Sequence, residues 1–211
     1  MPARSYGQFC GLARALEHVG DRWTLLIVRQ LLTSPRRYVD LRRALGTPTN
    51  VLADRLRRLA DDGIVESTIL PAPARTPVWA LTEEGRDLEP VVLELLRFGS
   101  RYLADPERID EPAHDDWVVF PLRWLARRAP VPVPERWRFE LGDDPVVTVS
   151  VGGVAVDLVP DTGSVDLTIR AAGPDRLAAV LSGAVPVPGD LDLVGERDRF
   201  VDLVRLGLQN Q

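Results

Sequence analysis

Between residues 11 and 60, apolar positions return every three or four residues in short blocks, each closed by Gly or a Pro-containing pair, which is the spacing of small amphipathic helices. Leu12, Ala15, Leu16 and Val19 form one such stripe over 11–19. Asp21 stands as an N-cap for a helix over 22–32, where Trp23, Leu26, Ile27, Gln30 and Leu31 share a face until Ser34-Pro35 stops it. After an extended piece around 37–39, a helix over 40–45 turns Leu41, Ala44 and Leu45 inward, and Gly46-Thr47-Pro48 makes the corner. Thr49 then reads as the N-cap of a helix that buries Leu52, Leu56 and Leu59 and leaves Asn50, Ala53, Asp54, Arg57 and Arg58 on its other face.

Past Gly63 the pattern changes to a β-branched run over 64–70. Pro71, Pro73 and Pro77 exclude a central strand over 71–77, so this is a loop from which 78–81 returns as the second strand of a hairpin. Thr82 caps a helix over 83–103, in which Leu88, Val91, Val92, Leu95, Leu96, Gly99, Tyr102 and Leu103 make a stripe wider than one small domain needs, with Pro90 expected to kink it. Residues 105–116 are acidic and poor in large apolar side chains, as a linker is. A helix over 117–128 follows, then Val-rich strands over 138–141, 146–151, 154–159 and 165–171, a helix over 174–181, a strand over 191–194 and a closing helix over 199–208. The fold class expected is α+β: a winged helix-turn-helix over 1–104, the linker, and a second α+β domain with a mostly antiparallel sheet over 117–211.

Charge sharpens the division. The chain as a whole carries a net charge of -5, yet residues 22–60 hold nine Arg against Asp40 and Asp54, a local +7, while residues 106–211 hold 11 Arg against 18 acids, or -7. The two ends therefore suit different partners, a polyanion at the first and none such at the second. A helix laid in the major groove shows base edges the side chains of its N-terminal half. On that geometry Asn50 suits adenine N6 and N7, and Arg57 suits guanine O6 and N7. Arg36, Arg37, Arg42, Arg43 and Arg58 are placed to hold phosphates, and Arg75 near the tip of a proline-stiffened wing is placed to enter a minor groove. The candidate DNA-binding set is Arg36, Arg37, Thr49, Asn50, Ala53, Asp54, Arg57, Arg58 and Arg75.

One Cys and two scattered His exclude a disulfide framework and a protein-built metal site, and no cofactor is expected. No G-x-S-x-G, phosphate-binding loop or dinucleotide fingerprint occurs, so the chain is not expected to be an enzyme. There is no apolar run long enough for a signal peptide or a membrane span, and a soluble, cytoplasmic protein is expected.

Cys10, Arg14-Ala15-Leu16-Glu17, Gly20, Arg22-Trp23, Leu31-Leu32, Arg36-Arg37-Tyr38, Leu41-Arg42, Leu52, Arg55-Leu56-Arg57-Arg58-Leu59, Gly63-Ile64-Val65, Leu81-Thr82, Gly85 and Pro90-Val91 together resemble the pattern of the HxlR family of bacterial transcription regulators. The resemblance covers about residues 10–103. It implies a homodimer that binds an inverted repeat in double-stranded DNA, with the first and last helices of the domain at the dimer interface. Pro48 stands where the family usually has an apolar residue, Ser34 where it has Gly, and Trp79 where it has Tyr. Cys10 matches the N-terminal cysteine with which some members sense oxidants or electrophiles, and Arg14 on the same helix face is expected to lower its pKa; the other reading is a small hydrophobe at a dimer contact. Residues 117–208 are similar in element order to sterol-carrier-protein-like domains, which enclose an apolar tunnel. A solid dimerisation domain is the alternative there.

Two functions stay open at this point. One is a one-component regulator, in the repressor sense, whose second domain binds a small apolar effector or reinforces the dimer. The other is a lipid or small-ligand carrier whose winged helix is a protein-interaction module, against which the local +7 argues.

Overall fold

A computed structural model describes residues 5–100, 102, 117–143 and 145–209 of the chain, which divides into two compact units, Met1–Val92 and Leu93–Gln211. The expected linker 105–116, Leu103 and His114 lie outside the described residues.

The first unit contains α1 (Gly11–Val19), α2 (Thr24–Thr33), α3 (Tyr38–Leu45), α4 (Thr49–Asp61), β1 (Val65–Ile69), β2 (Pro77–Leu81) and α5 (Glu83–Arg86). Its core is the apolar side of α2, α3 and α4: Ile27, Val28, Leu31, Leu41, Leu52, Leu56 and Leu59 are buried. Gly46, at φ 62°, ends α3 in the left-handed conformation that glycine adopts at little cost, and its N–H returns to the Arg42 carbonyl at 3.0 Å. Pro48 is the residue before α4, at φ -59° and ψ 142°, values a proline already prefers. β1 and β2 pair antiparallel from Val65↔Leu81 to Ile69↔Pro77, and Arg36 adds a bridge to Trp79 through two backbone bonds of 2.9 and 2.8 Å.

Three local expectations are corrected. Asp21 is not the side-chain cap of α2: the N-cap position is Trp23, held left-handed at φ 79°, and the Asp21 carboxylate goes to α4 instead. Thr49 does not cap α4 either, because the helix begins on it after Pro48 and has no side-chain cap. The helix expected over 83–103 is two elements, α5 and α6 (Glu89–Ser100), broken at Asp87-Leu88. Pro90 explains the break, since in a continuous helix its ring would meet the carbonyl of Arg86, four residues back. As the second residue of α6, Pro90 needs no intrahelical partner.

α6 carries the division between the units and leaves Val91, Leu95 and Phe98 exposed. The second unit continues with α7 (Val119–Ala126), β3 (Val131–Leu141), β4 (Val147–Gly153), β5 (Ala155–Val159), β6 (Leu167–Ala171), α8 (Pro174–Leu181), β7 (Asp192–Gly195) and α9 (Asp198–Gln209). The strands form one sheet in the order β5-β4-β3-β6-β7, antiparallel except for β3 and β6. This is the mostly antiparallel sheet expected, and the chain is α+β. Alternation along β3 turns Trp137, Phe139 and Leu141 to the buried face, where Trp137 meets Phe200 of α9 edge-on at 5.6 Å. The opposite face is polar: Arg138 and Thr148 both donate to Asp161, and Arg170 pairs with Glu140.

Packing of α7 on α9 depends on Gly207, where a Cβ would lie 2.8 Å from Leu125 Cδ2. Gly207→Ala should destabilise the second unit by about 1–3 kcal/mol, read by denaturant unfolding. A second prediction comes from Glu94 on α6, which accepts hydrogen bonds from Arg128 (2.8 Å), Arg97 (3.0 Å) and the Trp124 indole (3.1 Å). These donors, the Arg128 guanidinium foremost, lower its pKa from 4.5 to about 2. A depressed carboxylate stabilises fully above its unfolded pKa, and that contribution disappears as pH falls from about 4.5 through about 2. Glu94→Gln should remove this part of the acid dependence of unfolding, measured against the parent protein over the same pH range.

Candidate nucleic-acid interface

The exposed side of α4 follows from its buried side. With Leu52, Leu56 and Leu59 against the core, residues at 50, 53, 54, 57 and 58 are left on the outer face, and Asn50, Arg57 and Arg58 are exposed while Ala53 and Asp54 are half-buried. The first turn contains no acidic residue and no side-chain cap, so the positive end of the helix dipole stands uncompensated at the end where Asn50 lies. The corner before it is braced: the Tyr38 hydroxyl donates to the Thr49 carbonyl at 2.7 Å, and Arg42 Nη1 donates to Thr49 Oγ1 at 3.3 Å. Thr49 is thus occupied from the α3 side.

The arginines separate into two groups. Arg36 is turned inward, with Nε donating to the Gln30 carbonyl at 3.0 Å and Nη2 to Thr33 Oγ1 at 3.2 Å, so its guanidinium ties the end of α2 to the strand bridge at Trp79. Arg37 holds Asp40 with both branches, at 2.7 and 3.2 Å, an arrangement that lowers the Asp40 pKa and raises that of Arg37. Arg58 is shared between Asp54 at 3.0 Å and Asp21 at 3.7 Å. Arg57 reaches Asp54 only at 3.8 Å and keeps a highly exposed side chain. Such exposed pairs contribute little to stability and exchange readily for a phosphate.

Arg75 sits in the loop between β1 and β2, exposed and left-handed at φ 38°. The loop is closed by Leu70 N–H to the Thr76 carbonyl at 3.0 Å and by Thr76 Oγ1 to the Ala74 carbonyl at 2.8 Å.

Two features were not legible beforehand. Arg36 gave no sign that it would fold back on α2, because its acceptor is a backbone carbonyl. Nor did Asp21 and Arg55, whose pairing spans 34 residues. The apolar stripe of α1 is also placed differently from an ordinary core helix: Ala13 and Val19 are buried, whereas Leu12 is 68% exposed, and Leu16 and the preceding Phe9 and Tyr6 are exposed as well. Of the two histidines, His18 meets Asp62 at 3.1 Å.

Cys10 is the N-cap residue of α1 and is exposed. Its pKa is lowered, and the cause is the backbone N–H groups of Ala13 and then Leu12, not Arg14. Arg14 instead pairs with Glu17 at 3.0 Å, while Glu17 also accepts the Tyr6 N–H at 2.8 Å.

Comparison with known proteins locates the likeness in this part of the chain. A family model described as HxlR-like helix-turn-helix matches residues 18–107. An uncharacterised HTH-type transcriptional regulator of Mycobacterium bovis is 41% identical over 96 residues, 46% of this chain and 61% of that protein. The chain therefore covers less than two thirds of that relative's length. The HTH-type regulator YvaP of Bacillus subtilis, also uncharacterised, is 32% identical over 101 residues, 46% of this chain and 90% of its own. Among solved structures, the oxidised form of the redox regulator HypR is similar with a TM-score of 0.40 at 28% identity, covering 44% of this chain and 96% of HypR.

The geometry at Cys10 makes a prediction of its own. Alkylation by iodoacetamide should reach half its maximal rate at a pH below the ordinary thiol value, and Arg14→Ala should leave that midpoint in place, since the lowering comes from backbone donors. A midpoint that rises in Arg14→Ala would return the role to the arginine.

Proposed function

We propose, from the premise that the chain belongs to the HxlR-like helix-turn-helix family, that it is a one-component transcription regulator that reads promoter DNA with α4 and the β1-β2 wing. The observation that carries this reading is the outer face of α4, where Asn50 and Arg57 are exposed seven residues apart on one side of a helix whose other side is the core. Arg42, Arg43 and Arg58 flank them as phosphate contacts, and Arg75 extends the positive surface to the wing. An inverted repeat is the fitting operator, because Phe9, Leu12 and Leu16 present an apolar surface suited to a second copy of the chain, and a two-fold dimer meets two half-sites. Repression is the sense proposed, as a dimer seated on promoter DNA blocks it without further machinery.

The second unit is assigned no DNA contact, since its excess of acids repels phosphate. Its apolar layer between sheet and helices supports two roles, binding of a small apolar effector or reinforcement of the dimer. Against the carrier alternative, whose support is the second unit alone, stands the local +7 of residues 22–60, for which a protein-interaction module has no general need.

The test is fluorescence anisotropy with a duplex enriched from a random library by the protein itself, against unselected duplex, at two salt concentrations. Preference for the enriched duplex that persists at the higher salt is expected, and Asn50→Ala should reduce that preference by about 1–3 kcal/mol. Equal, salt-erased binding of both duplexes would remove sequence reading from the assignment.

A further inference from the structure

Between α1 and α2 the chain makes a tight corner that is costlier than its length requires. Trp23 is left-handed at φ 79° without being glycine, a conformation that disfavours a bulky side chain. The corner is held by Thr24 N–H to the Asp21 carbonyl at 3.2 Å, by Ile27 N–H to the Trp23 carbonyl at 2.8 Å, and by the Arg22 guanidinium over the Trp23 ring at 5.0 Å. At this corner the Asp21 carboxylate is turned to α4. Its Oδ2 receives Arg55 Nη1 and lies 3.7 Å from Arg58 Nη1, two residues that are neighbours on one side of α4.

Arg55 differs from the other arginines of α4. Its side chain is only 19% exposed, and its Nε is buried with no hydrogen-bond partner, so the group is placed to hold the helix and not to meet a ligand. A second tie lies two turns further along, where His18 in the last turn of α1 meets Asp62, the C-cap of α4, at 3.1 Å. From residue 55 to 62 the helix rises about 10 Å, so α4 is pinned to the α1 end and its corner at two separated points. Two such points fix both the rotation and the tilt of a helix, which the leucine seam alone leaves adjustable.

We infer that Asp21 is a positioning residue for sequence reading: through Arg55 and Arg58 it sets the rotation of α4 and thereby which base edges Asn50 and Arg57 meet. The inference rests on the DNA-binding reading of α4 and names what regulates that same site.

Charge and position predict opposite signs, which makes the test decisive. Removing the Asp21 charge takes a negative group from beside α4 and releases the exposed Arg58 from one of its two carboxylates, so Asp21→Asn should bind unselected duplex at least as tightly as the parent, with a salt slope steeper by about one. On the duplex enriched by the parent protein it should bind more weakly, and the ratio of enriched to unselected affinity should fall about tenfold. Asp21→Glu should restore most of the ratio, and Asp21→Asn combined with Arg55→Met should lose little more than Asp21→Asn alone, because both act through one link. A purely structural role would lower both affinities together and leave the ratio unchanged, which would overturn the inference. Should Asp21→Asn not fold, Arg55→Lys keeps the charge while altering its reach and losing the guanidinium fork, and an unchanged ratio in that variant would overturn it equally. A parent protein that enriches no sequence would remove the DNA-reading assignment itself, an outcome distinct from a parent that discriminates and a variant that discriminates as well.

Discussion

Burial of Leu52, Leu56 and Leu59 is the constraint on which the first unit depends, because a helix of 13 residues has one side to give to the core and the remaining side is then determined. Each of these leucines is almost fully removed from water, a gain of about 1.5–3 kcal/mol per side chain before conformational entropy is counted. No rotation of α4 large enough to carry Asn50, Asp54, Arg57 or Arg58 into the core retains that gain, which leaves only small rotations for the Asp21 tie to set. The outer face is therefore a consequence of the inner one. Its electrostatic character follows from composition: arginines beside Asp54, which holds Arg58 and reaches Arg57 weakly, with Asp61 a further exposed carboxylate in the last turn.

Paired charges on this surface modify how the local field is to be understood. Counting residues 22–60 yields +7, but Arg36 is folded into the end of α2, Arg37 is committed to Asp40, and Arg55 and Arg58 share Asp21, which lies just outside that span. Fewer guanidinium groups are at liberty than the count suggests. Of the exposed arginines outside those pairs, Arg42 and Arg43 stand before the α3-α4 corner, Arg57 on α4 and Arg22 at the corner before α2, and Arg75, beyond the counted span, adds a charge on the wing.

Much of the fold could be read in the chain because its signals are local. Pro174 at the first position of α8 and Gly183 beyond its end bound that helix as expected, and Thr82 accepts the Gly85 N–H as its place before Glu83 foretold. The failures have a common origin in contacts that are distant in sequence or in competing local preferences. β3 begins at Val131, earlier than the expected 138, although Pro132 and Pro134 lie within it. The sheet shows how this is tolerated: β6 pairs with β3 only from Trp137 onward, and the register with β4 is irregular between Val131 and Glu135, so these prolines occupy a stretch with few ladder bonds to lose. Glu135, facing the buried side there, is satisfied by the Trp137 indole at 2.7 Å and by Arg199, a partner 64 residues away that no periodicity announces. The candidate site shows the same division. Asn50 and Arg57 could be named from helical spacing, whereas Asp21 looked like a cap because an Asp before an apolar run usually is one.

That substitution of roles at Asp21 has a physical reason. A cap satisfies amide groups of its own helix, which water can also satisfy, whereas Arg55 has most of its side chain removed from water and needs an anion. A carboxylate placed between the two demands goes to the group that water serves less well. The cost appears next door, where Trp23 occupies the N-cap position in a left-handed conformation with no side chain to accept an amide. The strained corner, the uncapped start of α2 and the buried arginine of α4 are thus one feature seen at three residues.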